Sequence, residues 1–270
     1  MKQIPFQFEI VAKNDRISAF GGDLLLLPSG EVICSYGVLD YENEIQQQVL
    51  IRSSDSGRSW SNPVVVDQER GLVKTLRGRS LSRLSDGRIA MIYNAPDDGF
   101  LIRWSSDDGH NWSDSTQGGR LGTVPVSNHI IETADGGLLV TTRTSVAKIP
   151  VHKCVMQYRS NDRGRTWIGP EIVASDKRLN LTEPSTVRLS DGRIMCVIRE
   201  NSYNCFPSYK IFSEDEGESW SPIQPLPLFG HELYLGQLSS GKILIAYRNV
   251  GGYAATFAWL GDADDSTGFM

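Results

Sequence analysis

The sequence predicts an all-β fold made of repeated units, and two spaced motifs are the basis of that prediction. The first, called the box motif below, reads Ser-x-Asp-x-Gly-x-x-Trp and recurs at intervals of 52, 55 and 53 residues. A fixed period of this length is typical of repeat architectures. Each copy predicts a turn, because Ser and Asp side chains bond nearby backbone N–H groups, glycine adopts a positive φ and tryptophan is an apolar anchor. The four copies are Ser53–Trp60, Ser105–Trp112, Ser160–Trp167 and Ser213–Trp220.

The second motif is a short turn that contains glycine and lies between two apolar segments. Asp-Gly or Ser-Gly in such a place indicates a β-hairpin. The segment after each turn is apolar along most of its length, as in Ile89–Tyr93 and Ile194–Ile198, which is typical of a strand covered on both faces. The five copies are Leu27–Val32, Leu84–Ile89, Thr133–Leu138, Leu189–Ile194 and Leu238–Ile243.

Two further strands complete each unit. A third strand leads into the box motif, as Phe100–Trp104 does, and a shorter fourth strand follows it, as in Glu171–Ala174. Four-stranded antiparallel units of this kind, arranged radially, form a β-propeller. Five hairpins predict five blades in a single domain over residues 1–270. In the fifth unit Leu260–Asp265 keeps an aspartate but lacks the box Gly and Trp, and Phe6–Ile10 is predicted to add the outer strand of that blade.

Composition argues against several classes of partner and cofactor. The net charge is −5, and no basic run contains interleaved aromatic residues, so nucleic acid is not a predicted partner. No apolar run is long enough to cross a bilayer, so no membrane partner is predicted. The four histidines lack metal-ligand spacing and the four cysteines form no CxxC pair, so no metal or other cofactor is predicted.

The N-terminus and the cysteine content favour a cytoplasmic protein. The first residues lack the apolar core of a signal peptide, and four cysteines are too few for a disulfide scaffold. A secreted protein whose leader had been removed would show the same features.

Regularly spaced box motifs beside Leu-Ser-Asp-Gly-Arg hairpins resemble the sialidase (neuraminidase) superfamily, also called BNR-repeat proteins. The resemblance covers roughly Ile17 to Asp262. It implies a propeller, usually of six blades, so the chain resembles either a six-bladed protein that lacks one blade or a five-bladed variant. It also implies that the boxes are structural and lie at the end of the propeller opposite the usual active site.

Three arginines are predicted to lie at the end of the propeller away from the boxes, where second strands end and first strands begin. Arg143, Arg199 and Arg248 each follow a hairpin glycine by seven residues. Guanidinium groups bind carboxylates through two parallel hydrogen bonds, and the resemblance implies an arginine triad for a sugar carboxylate. The alternative is that each arginine ends a strand and pairs with a loop acid.

The resemblance also implies two catalytic carboxylates. Glu183, in Leu-Thr-Glu-Pro-Ser, is similar to the family's glutamate that partners a nucleophilic tyrosine, and Asp40 is similar to its acid/base aspartate. Glu183 could instead be a turn residue before Pro184, and Asp40 could be a solvated loop acid. Two neighbouring glutamates compete with Asp40 for the acid/base role.

Three more residues are candidates for substrate binding: Arg79, His129 and His231. For the histidines the alternative is a hydrogen-bonded structural role. The chain also departs from the family pattern. The stretch Ala19–Leu24 lacks the family's first-blade arginine, with Arg16 the nearest, and no tyrosine can be assigned as the nucleophile.

These observations predict a sialidase-like exo-glycosidase, or a related carbohydrate-active enzyme, acting on an acidic or hydroxyl-rich sugar. The first alternative is a non-catalytic propeller that binds a glycan or a protein. The second is an open ring that closes by oligomerisation through exposed edge strands. A carbohydrate substrate or ligand is therefore the predicted partner, and oligomers are compatible with the sequence.

Overall fold

The computed structural model describes residues 17–71, 80–95, 99–122, 128–143, 153–202, 204–250 and 255–266. Within these ranges the chain forms β-strands and turns without helices, so no described helix could span a membrane. The strands form five antiparallel sheets arranged as a five-bladed β-propeller. The predicted fold class and blade count are confirmed.

Four blades have four described strands and the fifth has three. Blade 1 contains β1 (Ile17–Leu26), β2 (Val32–Asp40), β3 (Ile45–Ser53) and β4 (Val64–Arg70). Blade 2 contains β5 (Ser80–Arg83), β6 (Ile89–Asn94), β7 (Phe100–Ser105) and β8 (Thr116–Gln117). Blade 3 contains β9 (Ile131–Glu132), β10 (Leu138–Arg143), β11 (Val155–Ser160) and β12 (Ile168–Ala174). Blade 4 contains β13 (Leu181–Arg188), β14 (Ile194–Glu200), β15 (Tyr209–Ser213) and β16 (Gln224–Pro225). Blade 5 contains β17 (Gly230–Gln237), β18 (Ile243–Asn249) and β19 (Thr256–Gly261), and the predicted strand Phe6–Ile10 lies outside the described residues.

The hairpins between first and second strands form as the sequence predicts. In blade 4 the Gly192 N–H donates to the Leu189 carbonyl at 3.0 Å, and the Leu189 N–H donates to the Arg193 carbonyl at 2.8 Å. Gly192 has a φ of 96°, a conformation that favours glycine. The strand that follows, β14, is buried along its whole length because neighbouring blades cover both of its faces.

Each box motif is a hydrogen-bonded turn between a third and a fourth strand. In blade 3 the Ser160 hydroxyl accepts from the Gly164 N–H at 2.8 Å and donates to Asp162 at 2.9 Å. Asp162 also accepts from the backbone N–H and the hydroxyl of Thr166, at 2.8 and 2.6 Å. Equivalent bonds recur in the other boxes, with the Asn111 amide in place of the hydroxyl in blade 2. Hydrogen bonds from the residue four positions on lower the pKa of all four box aspartates to about 2.

The boxes also join each blade to the one before it. The Gln157 amide of blade 3 donates to the Gly217 carbonyl of the blade 4 box at 2.8 Å, and the Trp220 indole donates back to Gln157 at 2.9 Å. Lys210 holds the corresponding position in blade 4, and its buried ammonium donates to the carbonyls of Ala263 and Asp265, at 2.6 and 2.7 Å. The degenerate fifth box therefore keeps its role between blades.

Candidate functional site

The end of the propeller opposite the boxes is called the site end, and three first strands carry a β-bulge there. The bulges lie between Phe20 and Asp23, between Thr182 and Ser185, and between His231 and Tyr234. Each contains one residue with positive φ: 57° at Gly21, 48° at Glu183 and 53° at Glu232. Positive φ is uncommon outside glycine, and such residues and bulges are concentrated at functional sites.

The Glu183 carboxylate forms a largely buried ion pair with Arg199, which is near the end of β14. Arg199 Nη1 lies 2.6 Å from Glu183 Oε1, and the two side chains are 10% and 15% exposed. The other carboxylate oxygen accepts a hydrogen bond from the backbone N–H of Glu232 in blade 5, at 3.2 Å. Burial by itself would raise the pKa of Glu183, but the hydrogen bond and charge of Arg199 hold it below its ordinary value. Glu183 is therefore ionised near neutral pH.

Arg199 is itself fixed by its neighbours. Its Nη2 group donates to Asn201 Oδ1 at 2.6 Å, while Nη1 is held by Glu183. Its Nε–H is buried and has no hydrogen-bond partner among the described residues. A buried donor without a partner is uncommon in proteins and is a candidate contact for a ligand oxygen or an ordered water.

Four more basic side chains surround this pair, and with it they are called the basic cluster. Burial and the positive charge of Arg199 lower the pKa of Arg143, whose Nη1 donates to Thr182 Oγ1 at 2.9 Å. Burial and the charges of Arg143 and Arg199 also lower the pKa of Lys153. The basic cluster comprises Arg143, Lys153, Glu183, Arg199, His231 and Arg248.

His231 and Arg248 bring blade 5 into the basic cluster. Arg248 Nη2 lies 3.2 Å from His231 Nδ1, so the guanidinium donates and the imidazole accepts. Burial, together with the charges of Arg199 and Arg248, lowers the pKa of His231. The cluster thus joins blades 3, 4 and 5 and has more positive than negative charge, which suits it to binding an anionic group.

A second set of polar side chains lies deeper along the first strands and is called the axial ring. Each member precedes a hairpin glycine by seven residues. The strand registers place four of the members at equivalent positions. His129 takes the same position when the β9–β10 register is continued two residues beyond Ile131. The members are Asp23, Ser80, His129, Ser185 and Tyr234, one from each blade.

Asp23 is the most buried charged residue of the axial ring, with 1% exposure. It accepts hydrogen bonds from the backbone N–H groups of Leu24 and Leu81, at 2.9 and 2.6 Å, and from the Tyr234 hydroxyl. His129 Nδ1 lies 3.9 Å from its carboxylate. Burial raises the pKa of Asp23, while His129 and the two backbone donors oppose that change. These contacts join blade 1 to blades 2, 3 and 5.

The described candidate residues predicted from the sequence lie in the basic cluster, in the axial ring and, for Asp40, in a turn. Glu183, Arg143, Arg199, Arg248 and His231 come together in the basic cluster, and His129 lies in the axial ring. Arg79 lies outside the described residues.

Asp40 stabilises its own turn between β2 and β3. Its carboxylate accepts from the backbone N–H groups of Glu42 and Asn43, both at 3.1 Å, and from the Asn43 amide at 2.7 Å. These contacts match the alternative of a turn-forming loop acid, and the acid/base role of Asp40 stays a prediction.

Sequence reasoning missed Asp23, Tyr234 and Lys153. A sequence signal exists for the first two. The predicted arginines follow the hairpin glycines by seven residues, and the members of the axial ring precede the same glycines by seven residues. Lys153 precedes a third strand, a place that the hairpin spacing does not mark.

A BNR repeat-like domain model matches residues 42–251, most of the chain. The chain belongs to that family. The predicted resemblance to the sialidase superfamily is thereby confirmed.

Among known proteins, a sialidase from Micromonospora viridifaciens is 26% identical over 247 residues, which is 78% of this chain and 36% of the sialidase. The chain thus spans about a third of that relative's length. A protein of unknown function from Dyadobacter fermentans has a similar structure, with a TM-score of 0.76 and 17% identity over 94% of this chain and 81% of that one. An α-L-arabinanase from Penicillium chrysogenum has a TM-score of 0.57 and 14% identity over 92% and 94% of the two chains. At such low identity the two structures show a shared fold.

Proposed function

We propose that the protein is an exo-acting glycoside hydrolase that binds a sugar carboxylate at the basic cluster. The observation that carries the proposal is the buried Glu183–Arg199 pair, held at a strained bulge and surrounded by four more basic groups. The kinship with a sialidase and the fold shared with an arabinanase support a carbohydrate substrate.

The charges of the cluster suggest a division of roles. Arg143, Arg248 and Lys153 provide positive charge for the substrate carboxylate, because guanidinium and ammonium groups bind carboxylates by charge-assisted hydrogen bonds. Glu183 is ionised and fixed by Arg199, so it is suited to polarise a nucleophile or to stabilise positive charge at the anomeric carbon. It is poorly suited to donate a proton.

The test is hydrolysis of nitrophenyl glycosides of N-acetylneuraminic acid, glucuronic acid and L-arabinose. We expect turnover of an acidic sugar, and we expect Glu183→Gln to lower kcat/KM by about 100- to 1,000-fold, the usual effect of removing one electrostatic stabiliser. Glu218→Gln is the matched control, because that side chain is 69% exposed and lies within a box, at the other end of the propeller.

Two results would contradict the proposal. If Glu183→Gln and Glu218→Gln gave equal rates, Glu183 would have no part in the reaction. If the protein bound a glycan but hydrolysed none of the three substrates, the non-catalytic alternative would be favoured instead.

A further inference from the structure

The axial ring contains a histidine whose tautomer is set by a backbone carbonyl. His129 Nδ1 lies 2.9 Å from the Leu81 carbonyl oxygen. A carbonyl can only accept a hydrogen bond, so Nδ1 carries a proton and Nε2 is the nitrogen that can exchange one. The side chain is 20% exposed, which leaves the ring within reach of a ligand at the site end.

Two ionisable side chains face this imidazole from other blades. Asp23, on β1, places Oδ2 at 3.9 Å from His129 Nδ1. Tyr234, on β17, meets the imidazole edge-on, with ring centres 5.5 Å apart and planes at 81°. The Tyr234 hydroxyl also bonds Asp23. Among the described residues these are the ionisable groups in contact with His129.

We propose that His129 is the general acid and base of this propeller, and that Asp23 and Tyr234 are positioning residues that hold its ring on the axis. The proposal rests on the glycoside hydrolysis proposed above. It gives the acid role to a residue from blade 3, whereas the resemblance to the sialidase superfamily implies Asp40 for that role.

The histidine gives up one proton during the reaction and regains one. The Nε2–H of the imidazolium passes its proton to the glycosidic oxygen as the bond between that oxygen and the anomeric carbon breaks. Water then adds to the anomeric carbon and returns a proton to Nε2, so the sum is one water consumed and two hydroxyl products. Glu183, which is ionised, stabilises the positive charge that develops at the anomeric carbon.

The experiment compares nitrophenyl and methyl glycosides of the sugar that the protein hydrolyses. Nitrophenolate leaves without protonation, whereas an alkoxide needs an acid. We expect His129→Gln to lower kcat/KM on the methyl glycoside by about 100- to 10,000-fold, the range of general acid catalysis, with a much smaller loss on the nitrophenyl glycoside. The ratio of the two losses within one variant is independent of how much of that variant is folded.

Asp23→Asn tests the positioning role by the same comparison of leaving groups. If Asp23 holds the imidazole in place, kcat should fall more on the methyl glycoside than on the nitrophenyl glycoside, with KM little changed. Tyr234→Phe, which keeps the aromatic contact, is expected to show a smaller difference between the two glycosides. His110→Gln, at an exposed box position, is the matched control and should change neither rate.

The outcomes separate this inference from the proposed function. If the wild-type protein hydrolyses none of the glycosides, both are overturned. If it hydrolyses one and responds to Glu183→Gln, but His129→Gln reduces both leaving groups equally, only the role of His129 is overturned. The same holds if Asp40→Asn shows the leaving-group dependence instead.

Discussion

Arg248 and His231 show how single residues set the charge of the site end. The guanidinium lies 3.2 Å from His231 Nδ1 and is itself exposed, whereas the imidazole is half-buried. Burial lowers the pKa of the histidine, and the positive charges of Arg199 and Arg248 lower it further because they disfavour the imidazolium form. His231 is consequently a neutral hydrogen-bonding group near pH 7, in contrast to the arginines around it.

Arg248→Gln should raise the pKa of His231. Glutamine keeps a donor for Nδ1 but removes the positive charge, while burial and Arg199 continue to lower the pKa. The new value should therefore stay below the ordinary value of histidine. NMR titration of the imidazole signals measures it, and Arg178→Gln is the control because that side chain is 82% exposed. An unchanged or lower pKa in Arg248→Gln would contradict the assigned cause.

Ligand binding should depend on pH through the same charges. A carboxylate bound in the basic cluster would offset the positive charges around His231 and raise its pKa, so binding would take up a proton. Affinity for an acidic sugar should then increase as the pH falls towards the pKa of His231.

At the scale of the element, the box glycines carry two separate constraints. Gly217 has a φ of 84°, and a Cβ there would lie 2.3 Å from Leu139 Cδ1 in the preceding blade. Gly192, in a hairpin, has a φ of 96° but open space where its Cβ would be. The pair therefore separates the cost of backbone conformation from the cost of crowding between blades.

Gly217→Ala should destabilise the protein more than Gly192→Ala does. Both substitutions place an alanine at positive φ, which costs about 1–2 kcal/mol. Gly217→Ala adds crowding against buried Leu139, for which overpacked cores lose about 1–3 kcal/mol. Urea denaturation of both variants measures the difference in the free energy of unfolding. Equal losses would mean that the boxes do not pack closely against the preceding blade.

At the scale of the whole molecule, the fold could be predicted because its determinants are local. Box turns and hairpins form from residues within eight positions of each other, and their period reports the blade repeat. Glu183 and Arg199 could likewise be placed, since they flank one hairpin. The contact between Asp23 and His129 could not be predicted, because it joins blades 1 and 3 across the axis. No local sequence pattern specifies such a pair.

The box aspartates should make the stability of the entire propeller sensitive to acid. Their pKa is about 2, against an ordinary value of 3.8. A carboxyl group with a lowered pKa stabilises the fold above its ordinary pKa, and that contribution is lost as the pH falls towards the folded value. Since boxes contact the preceding blades, as Gln157 does with Gly217, protonation should weaken turns and contacts between blades together.

The free energy of unfolding should therefore fall between pH 4 and pH 2, and Asp162→Asn should reduce that slope. Asparagine keeps an acceptor for the Thr166 N–H but cannot take up a proton. The variant should therefore have a lower free energy of unfolding at pH 6, and that free energy should fall less on acidification. Asp215→Asn should behave alike, and the double variant should show the sum of both reductions, because the two boxes lie in different blades. Variants that kept the wild-type slope would show that acid acts elsewhere, for instance at the Arg188–Glu216 ion pair.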